Sequence, residues 1–237
     1  FLGTAVLMAI GLVAIAFFVP PTPIDKSQRR SAAEPFKALV DPRISILMLA
    51  ALVYNYGYFT LLAYAPFPLA EASIRAGGQF TPLDLGLVFF GWGLMVSLGS
   101  VWLGPRSCEH LGIRRTVVVT LILFTIDEVL LATWISPIPQ VIGVIIGGLF
   151  IGIVNTAMTE IVMSASNIQR EVASSAYSGV RFLGGACAPT LAGALSSLWG
   201  VGGPYYVGAV TLALTIVLLR IDRQRRRQMT AHSVALE

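Results

Sequence analysis

The chain has 237 residues, 56% of them hydrophobic and only 12% charged, with a formal net charge of +4 and a mean hydropathy of +0.79. Soluble domains carry about 25% charged residues, so a water-soluble globular class is excluded. The basic balance does not point to nucleic acid, because the bases flank apolar stretches, where orientation in a membrane by itself requires them.

In chain order, seven stretches are long and apolar enough to cross a bilayer: 1–20, 44–66, 85–104, 116–135, 141–164, 172–198 and 202–221. About 20 residues of helix span the hydrocarbon core. Membrane strands would be about half as long and would alternate in polarity. The expected class is therefore an all-α membrane protein. Residues 1–20 lack the basic leader of a signal peptide. The chain opens at Phe1 already inside an apolar run, and on that ground it reads as a fragment of a longer protein. A Pro- and charge-rich linker follows at 20–43, then six spans in close succession. The joins at 136–140 and 199–203 are short enough to require antiparallel hairpins.

The joins alternate in charge. The segments at 21–43, 105–115 and 165–171 and the tail from Arg220 hold Lys26, Arg29, Arg30, Lys37, Arg43, Arg106, Arg114, Arg115, Arg170, Arg220, Arg223, Arg225, Arg226 and Arg227. The segments at 67–84, 136–140 and 199–201 hold only Arg75, and Arg181 lies inside a span. Positive loops stay in the cytoplasm, so a multi-pass protein of the plasma (inner) membrane with a cytoplasmic C-terminus is expected. Anionic headgroups are the natural partners of Arg223–Arg227. Cys108 and Cys187 offer no disulfide framework. Gly143-xxx-Gly147 and Gly148-xxx-Gly152, then Ala173, Ala176, Gly179, Gly184, Gly185 and Gly193, let helices approach closely, for ordinary packing or for surfaces that slide.

The sequence contains no nucleophile–base pair, metal-ligand spacing, phosphate-binding loop or dinucleotide fingerprint. The expectation is a non-enzyme with no metal or cofactor, and what remains is transport driven by a gradient. Asp127 and Glu128 lie near mid-depth of the span 116–135, where a carboxyl is costly to ionise and suits a group that loads and releases a proton. The other reading is a structural partner of an arginine or of backbone. Adjacent residues point about 100° apart, so at most one of the two is expected to face a polar interior well. Glu160, a turn from the end of its span, is a third coupling candidate or simply reaches water. Arg181 sits about 15 Å deep and should pair with a carboxylate or line water. Asp127, Glu128 and Glu160 are the partners this chain offers it. Tyr54, Asn55, Tyr56, Tyr58 and Phe59 crowd the middle of 44–66, with Tyr54 and Tyr58 on one face.

Three stretches carry a resemblance: LVYNYGYFTLLAYAPFPL from Leu52 to Leu69, GLFIGIVNT from Gly148 to Thr156, and ASSAYSGVRFLGGACAPTLAG from Ala173 to Gly193. They resemble helices seven, ten and eleven of the major facilitator superfamily, in its multidrug efflux (drug:proton antiporter) branch. The resemblance implies that 1–19 is helix six, 20–43 the central cytoplasmic loop, 44–221 the C-terminal six-helix bundle of two inverted three-helix repeats, and 222–237 a cytoplasmic tail. The loop reading Gly104-Pro-Arg-Ser-Cys-Glu109-His110-Leu-Gly112-Ile-Arg114-Arg115 departs from the family's pattern, with Glu109 and His110 where Asp and Arg would stand. By the resemblance, Tyr54, Asn55, Tyr58, Asn155 and Arg181 would line a central cavity that takes a hydrophobic or cationic small-molecule substrate through stacking and cation–π contact. Asp127, Glu128 and Glu160 would couple protons. The partners would be that substrate, the lipid bilayer and the missing N-terminal half of the same transporter. Another solute in the same fold, a sugar or an organic anion, is the nearer alternative; a seven-helix receptor or scaffold is the more distant one.

Overall fold

The computed structural model of the protein describes residues 2–20, 41, 44–165 and 170–234; for 170, 171, 227 and 229–234 only the backbone is described. Most of the expected central loop, with Lys26, Arg29, Arg30, Lys37 and Arg43, lies outside these residues, as do most of the join at 165–171 and the side chain of Arg227. Every regular element among the described residues is helical. This is what lipid demands of a chain with no closed barrel, since helices satisfy their own backbone groups.

The helices are α1 (Leu2–Phe18), α2 (Ser45–Tyr64), α3 (Pro66–Arg75), α4 (Pro82–Leu98), α5 (Gly104–Leu111), α6 (Ile113–Thr133), α7 (Pro137–Ala165), α8 (Arg170–Trp199) and α9 (Gly203–Val234). One wide helical turn, Gly99–Leu103, joins α4 to α5, so that the three form one span, Pro82–Leu111. Among the described residues, six helices are long and apolar enough to cross a membrane. The first expected span falls short of that set: α1 has 17 residues. It belongs to a separate compact unit, residues 1–32.

Two joins expected as loops are helical. The segment 67–84 contains α3, which starts on Pro66, where the missing N–H costs nothing, and ends before Gly77 at φ +76°. The segment 105–115 contains α5, closed by Gly112 at φ +82°. Both helices are short and amphipathic, and hydropathy alone passes over such pieces. The last span also overruns its expected end at 221, because α9 continues to Val234.

Local chemistry sets the other boundaries. Thr81 and Asp84 form a reciprocal capping box at the start of α4: the Thr81 N–H donates to Asp84 Oδ2 at 2.9 Å, and the Asp84 N–H to Thr81 Oγ1 at 3.3 Å. Buried Gln140 closes the α6–α7 hairpin, its Nε2 donating to the carbonyls of Leu131 at 2.7 Å and Trp134 at 3.1 Å. Gln140→Leu is expected to lower stability by about 1–3 kcal/mol, because both carbonyls lose a buried donor. Thermal unfolding in detergent measures this, and an unchanged midpoint would assign the hairpin to its turn alone.

The packing has internal symmetry. Helix α2 packs on α8 and α9, α7 packs on α4 and α6, and α6 meets α9. Exchanging α2, α4 and α6 with α7, α8 and α9 maps this pattern onto itself. The exchanged helices run in opposite directions, which is the arrangement of two inverted three-helix repeats. Glycines set the two equivalent close approaches. Gly148 and Gly152 of α7 lie against the backbone carbonyls of Trp92 and Val96 in α4, and Gly184 of α8 against the carbonyl of Leu52 in α2.

Candidate functional site

Three helices bring polar groups to one depth. Asn55 lies 10 residues from the start of α2, Asn155 lies 10 from the end of α7, and Arg181 lies 11 from the start of α8. At the helical rise each is about 15 Å from the same side of the bundle, near the middle of a bilayer.

Arg181 holds the cluster together. Its Nε donates to Asn55 Oδ1 at 3.4 Å and its terminal nitrogen to Asn155 Oδ1 at 3.2 Å. Tyr54 donates its hydroxyl to the same Asn155 oxygen at 3.3 Å. Tyr54 and Tyr58 stack with centroids 6.3 Å apart, and the guanidinium lies 5.5 Å from the Tyr177 ring. The five residues expected to line a cavity, Tyr54, Asn55, Tyr58, Asn155 and Arg181, are thus brought together. Tyr54 and Asn55 are buried, whereas Tyr58, Asn155 and Arg181 are partly exposed and form the open side of the cluster. Tyr177 escaped the sequence reading, although it stands one helical turn before Arg181 on the same face.

Of the two environments expected for Arg181, a carboxylate partner or water, the first is not seen among the described residues. Among the described residues no acid lies within ion-pair distance of it, and amide oxygens take its N–H groups instead. Neutral acceptors orient the fork without cancelling its charge, so the positive field stays available on the open side.

Asp127 and Glu128 stand elsewhere, within α6. Both are buried, Asp127 being 8% exposed and Glu128 0%. The 100° between them points each at a different neighbour. Asp127 lies against α7, its carboxyl oxygens 3.2 Å from where a Cβ would sit at Gly143 and Gly147. Glu128 lies against α9, in the space a side chain at Gly208 would fill. The missing Cβ atoms are what make room for the carboxyls. Asp127 Oδ2 and both oxygens of Glu128 are buried with no hydrogen-bond partner among the described residues, and so is the Tyr205 hydroxyl. Any charge formed on Glu128 would stand uncompensated. Glu160 stands apart from this pair, exposed on α7.

Asp222, placed by the sequence reading in the tail, is a buried ion-pair centre. It accepts from Arg114 at 2.6 Å, tying the start of α6 to α9, and from Arg226 at 3.0 Å. Arg114 therefore does more than orient the chain. The available signal was an acid one helical turn before an arginine at the end of an apolar run.

Residues 67–234 match the family described as Major Facilitator Superfamily. Over 225 residues, 94% of this chain, the sequence is 37% identical to the Multidrug efflux protein YfmO of Bacillus subtilis (strain 168). The match covers 54% of that relative, so the chain spans about half the length of the curated relative it matches.

Proposed function

The chain belongs to the major facilitator superfamily, and from that premise we propose that it is part of a secondary transporter that exports lipophilic compounds in exchange for protons. It is an integral, multi-pass membrane protein. In this reading the bundle of α2–α9 is the C-terminal half. A companion bundle supplies the other wall of the cavity, in keeping with a relative about twice as long. The basic helix ends face the cytoplasm, α1 is helix six, and alternating access rocks one bundle against the other about a midplane site.

The observation that carries the reading is the convergence of Tyr54, Asn55, Asn155 and Arg181 from three helices at mid-depth. The ring faces of Tyr54 and Tyr58 offer flat apolar area, and Arg181 offers a directional donor. The printed name of the relative from B. subtilis adds support for drugs as the substrates. Glu128 and Asp127 are the coupling groups in this proposal, being mid-membrane carboxyls with unpaired oxygens and no structural salt bridge among the described residues. A second reading, export of organic anions, is favoured by one observation: the positive charge of Arg181 has no acid beside it among the described residues.

The test is uphill export of a lipophilic dye by the full-length protein in proteoliposomes under an imposed pH gradient. Collapse of the gradient is expected to stop export. Glu128→Gln is expected to reduce uphill export at least tenfold while downhill exchange persists. Export that survives a protonophore would overturn proton coupling, and transport of anionic dyes alone would select the second reading.

A further inference from the structure

On the side of the bundle that carries the arginines, α6 and α9 enclose a cavity of about 300 Å³. Arg114 and Arg115 reach it from the first turn of α6, and Arg220 and Arg223 from the last part of the α9 span. Four arginines from two helices thus line one space. Arg114 is neutralised by buried Asp222. Arg115, Arg220 and Arg223 are exposed and have no ion-pair partner among the described residues. Like charges that line one cavity repel one another unless an anion sits among them. The remaining wall is apolar and includes Val119, 46% exposed, and buried Leu219. The cavity is therefore basic at its mouth and greasy below, at the level where a membrane span meets the headgroups.

We infer that this cavity is a binding site for an anionic phospholipid, whose phosphate lies among Arg115, Arg220 and Arg223 and whose acyl chain runs down past Val119. Two features favour a lipid over a free anion. The apolar wall continues from the charged mouth into the bilayer depth, and both contributing helices are membrane spans that lipid must surround. A lipid seated there joins α6 to α9 beside the Arg114–Asp222 ion pair. It screens the arginines that otherwise push those two helix ends apart.

The site is tested with the full-length protein in detergent, by the shift in thermal midpoint on titration with phosphatidylglycerol, phosphatidylcholine or inorganic phosphate. Phosphatidylglycerol is expected to stabilise and phosphatidylcholine to have little effect. Each of Arg115→Gln, Arg220→Gln and Arg223→Gln is expected to weaken the phosphatidylglycerol response about fivefold, and the triple variant by on the order of a hundredfold. Arg106→Gln, which does not line the cavity, is expected to behave as wild type. The single variants decide the matter if the triple one does not fold. An unchanged response in all three singles overturns the site, and an equal response to inorganic phosphate overturns the lipid as its occupant.

Discussion

Under the proposed export function, Arg181→Ala in the full-length protein is expected to lower dye export by on the order of a hundredfold while leaving the amount of folded protein close to wild type. The guanidinium makes two hydrogen bonds, to Asn55 at 3.4 Å and to Asn155 at 3.2 Å, both at the long end of the N–H···O range and so weak contributors to folding. Removing it unties α2, α7 and α8 at mid-depth and takes the positive charge from the open side of the cluster. It leaves amide groups, which can turn towards water in a cavity, rather than an orphaned carboxylate. The folding cost is therefore small for a residue so deep, because no buried ion is stripped of a counter-ion. Arg181→Lys is expected to recover less than a tenth of wild-type export, since a single ammonium cannot address two separated oxygens as the planar fork does. Full export by the lysine variant would reduce Arg181 to a point charge. Full export by the alanine variant would remove the cluster from the substrate path.

The second large effect concerns folding. Gly184→Leu and Gly152→Leu are each expected to abolish the monodisperse folded protein, and even Gly184→Ala is expected to cost at least about 1–3 kcal/mol. A Cβ at either position would run into a backbone carbonyl, of Leu52 or of Val96, and a main-chain oxygen cannot move without shifting its helix. Gly179→Ala and Gly193→Ala provide the contrast. Nothing lies within 4 Å of a Cβ at either position, and alanine is the better helix former by about 1 kcal/mol, so both variants are expected to match or exceed wild-type stability. Fluorescence-detected size exclusion with a thermal ramp separates the two groups. Equal tolerance at all four positions would mean that the helices are not held at glycine distance.

These four glycines also mark the limit of what was legible. In the sequence they belong to one small-residue pattern, and nothing local distinguishes Gly179 from Gly184. The spans are apolar on nearly every side, because lipid and bundle interior are equally apolar, so the periodicity that reveals the buried face of a soluble helix is weak here. The same weakness hid the partners of Asp127 and Glu128. Their depth in α6 was visible, but not that α7 and α9 each leave a glycine-lined recess for one carboxyl. Asp222 was lost for a different reason. The five arginines between 220 and 227, interrupted only by Ile221, Asp222 and Gln224, read as a solvated tail only while the helix is assumed to stop at the last apolar residue.

The sequence by itself determined that the chain is a series of apolar membrane spans, seven by its count against six long enough helices among the described residues, and that the arginines gather at alternate joins. Length, hydropathy and flanking charge act on each segment separately, because the bilayer is the solvent each segment meets. Mid-depth polar residues were equally visible, since an asparagine or arginine in lipid must find a polar partner or water. Only the tertiary structure decided that Asn55, Asn155 and Arg181 share one site without a carboxylate, and that Asp127 and Glu128 point to different helices. It also decided that Arg114 is tied to Asp222 and that Arg115, Arg220 and Arg223 ring one cavity. These are contacts between helices far apart in the chain. Their geometry is set by where a missing Cβ lets two backbones touch, a property of pairs of helices rather than of either one alone.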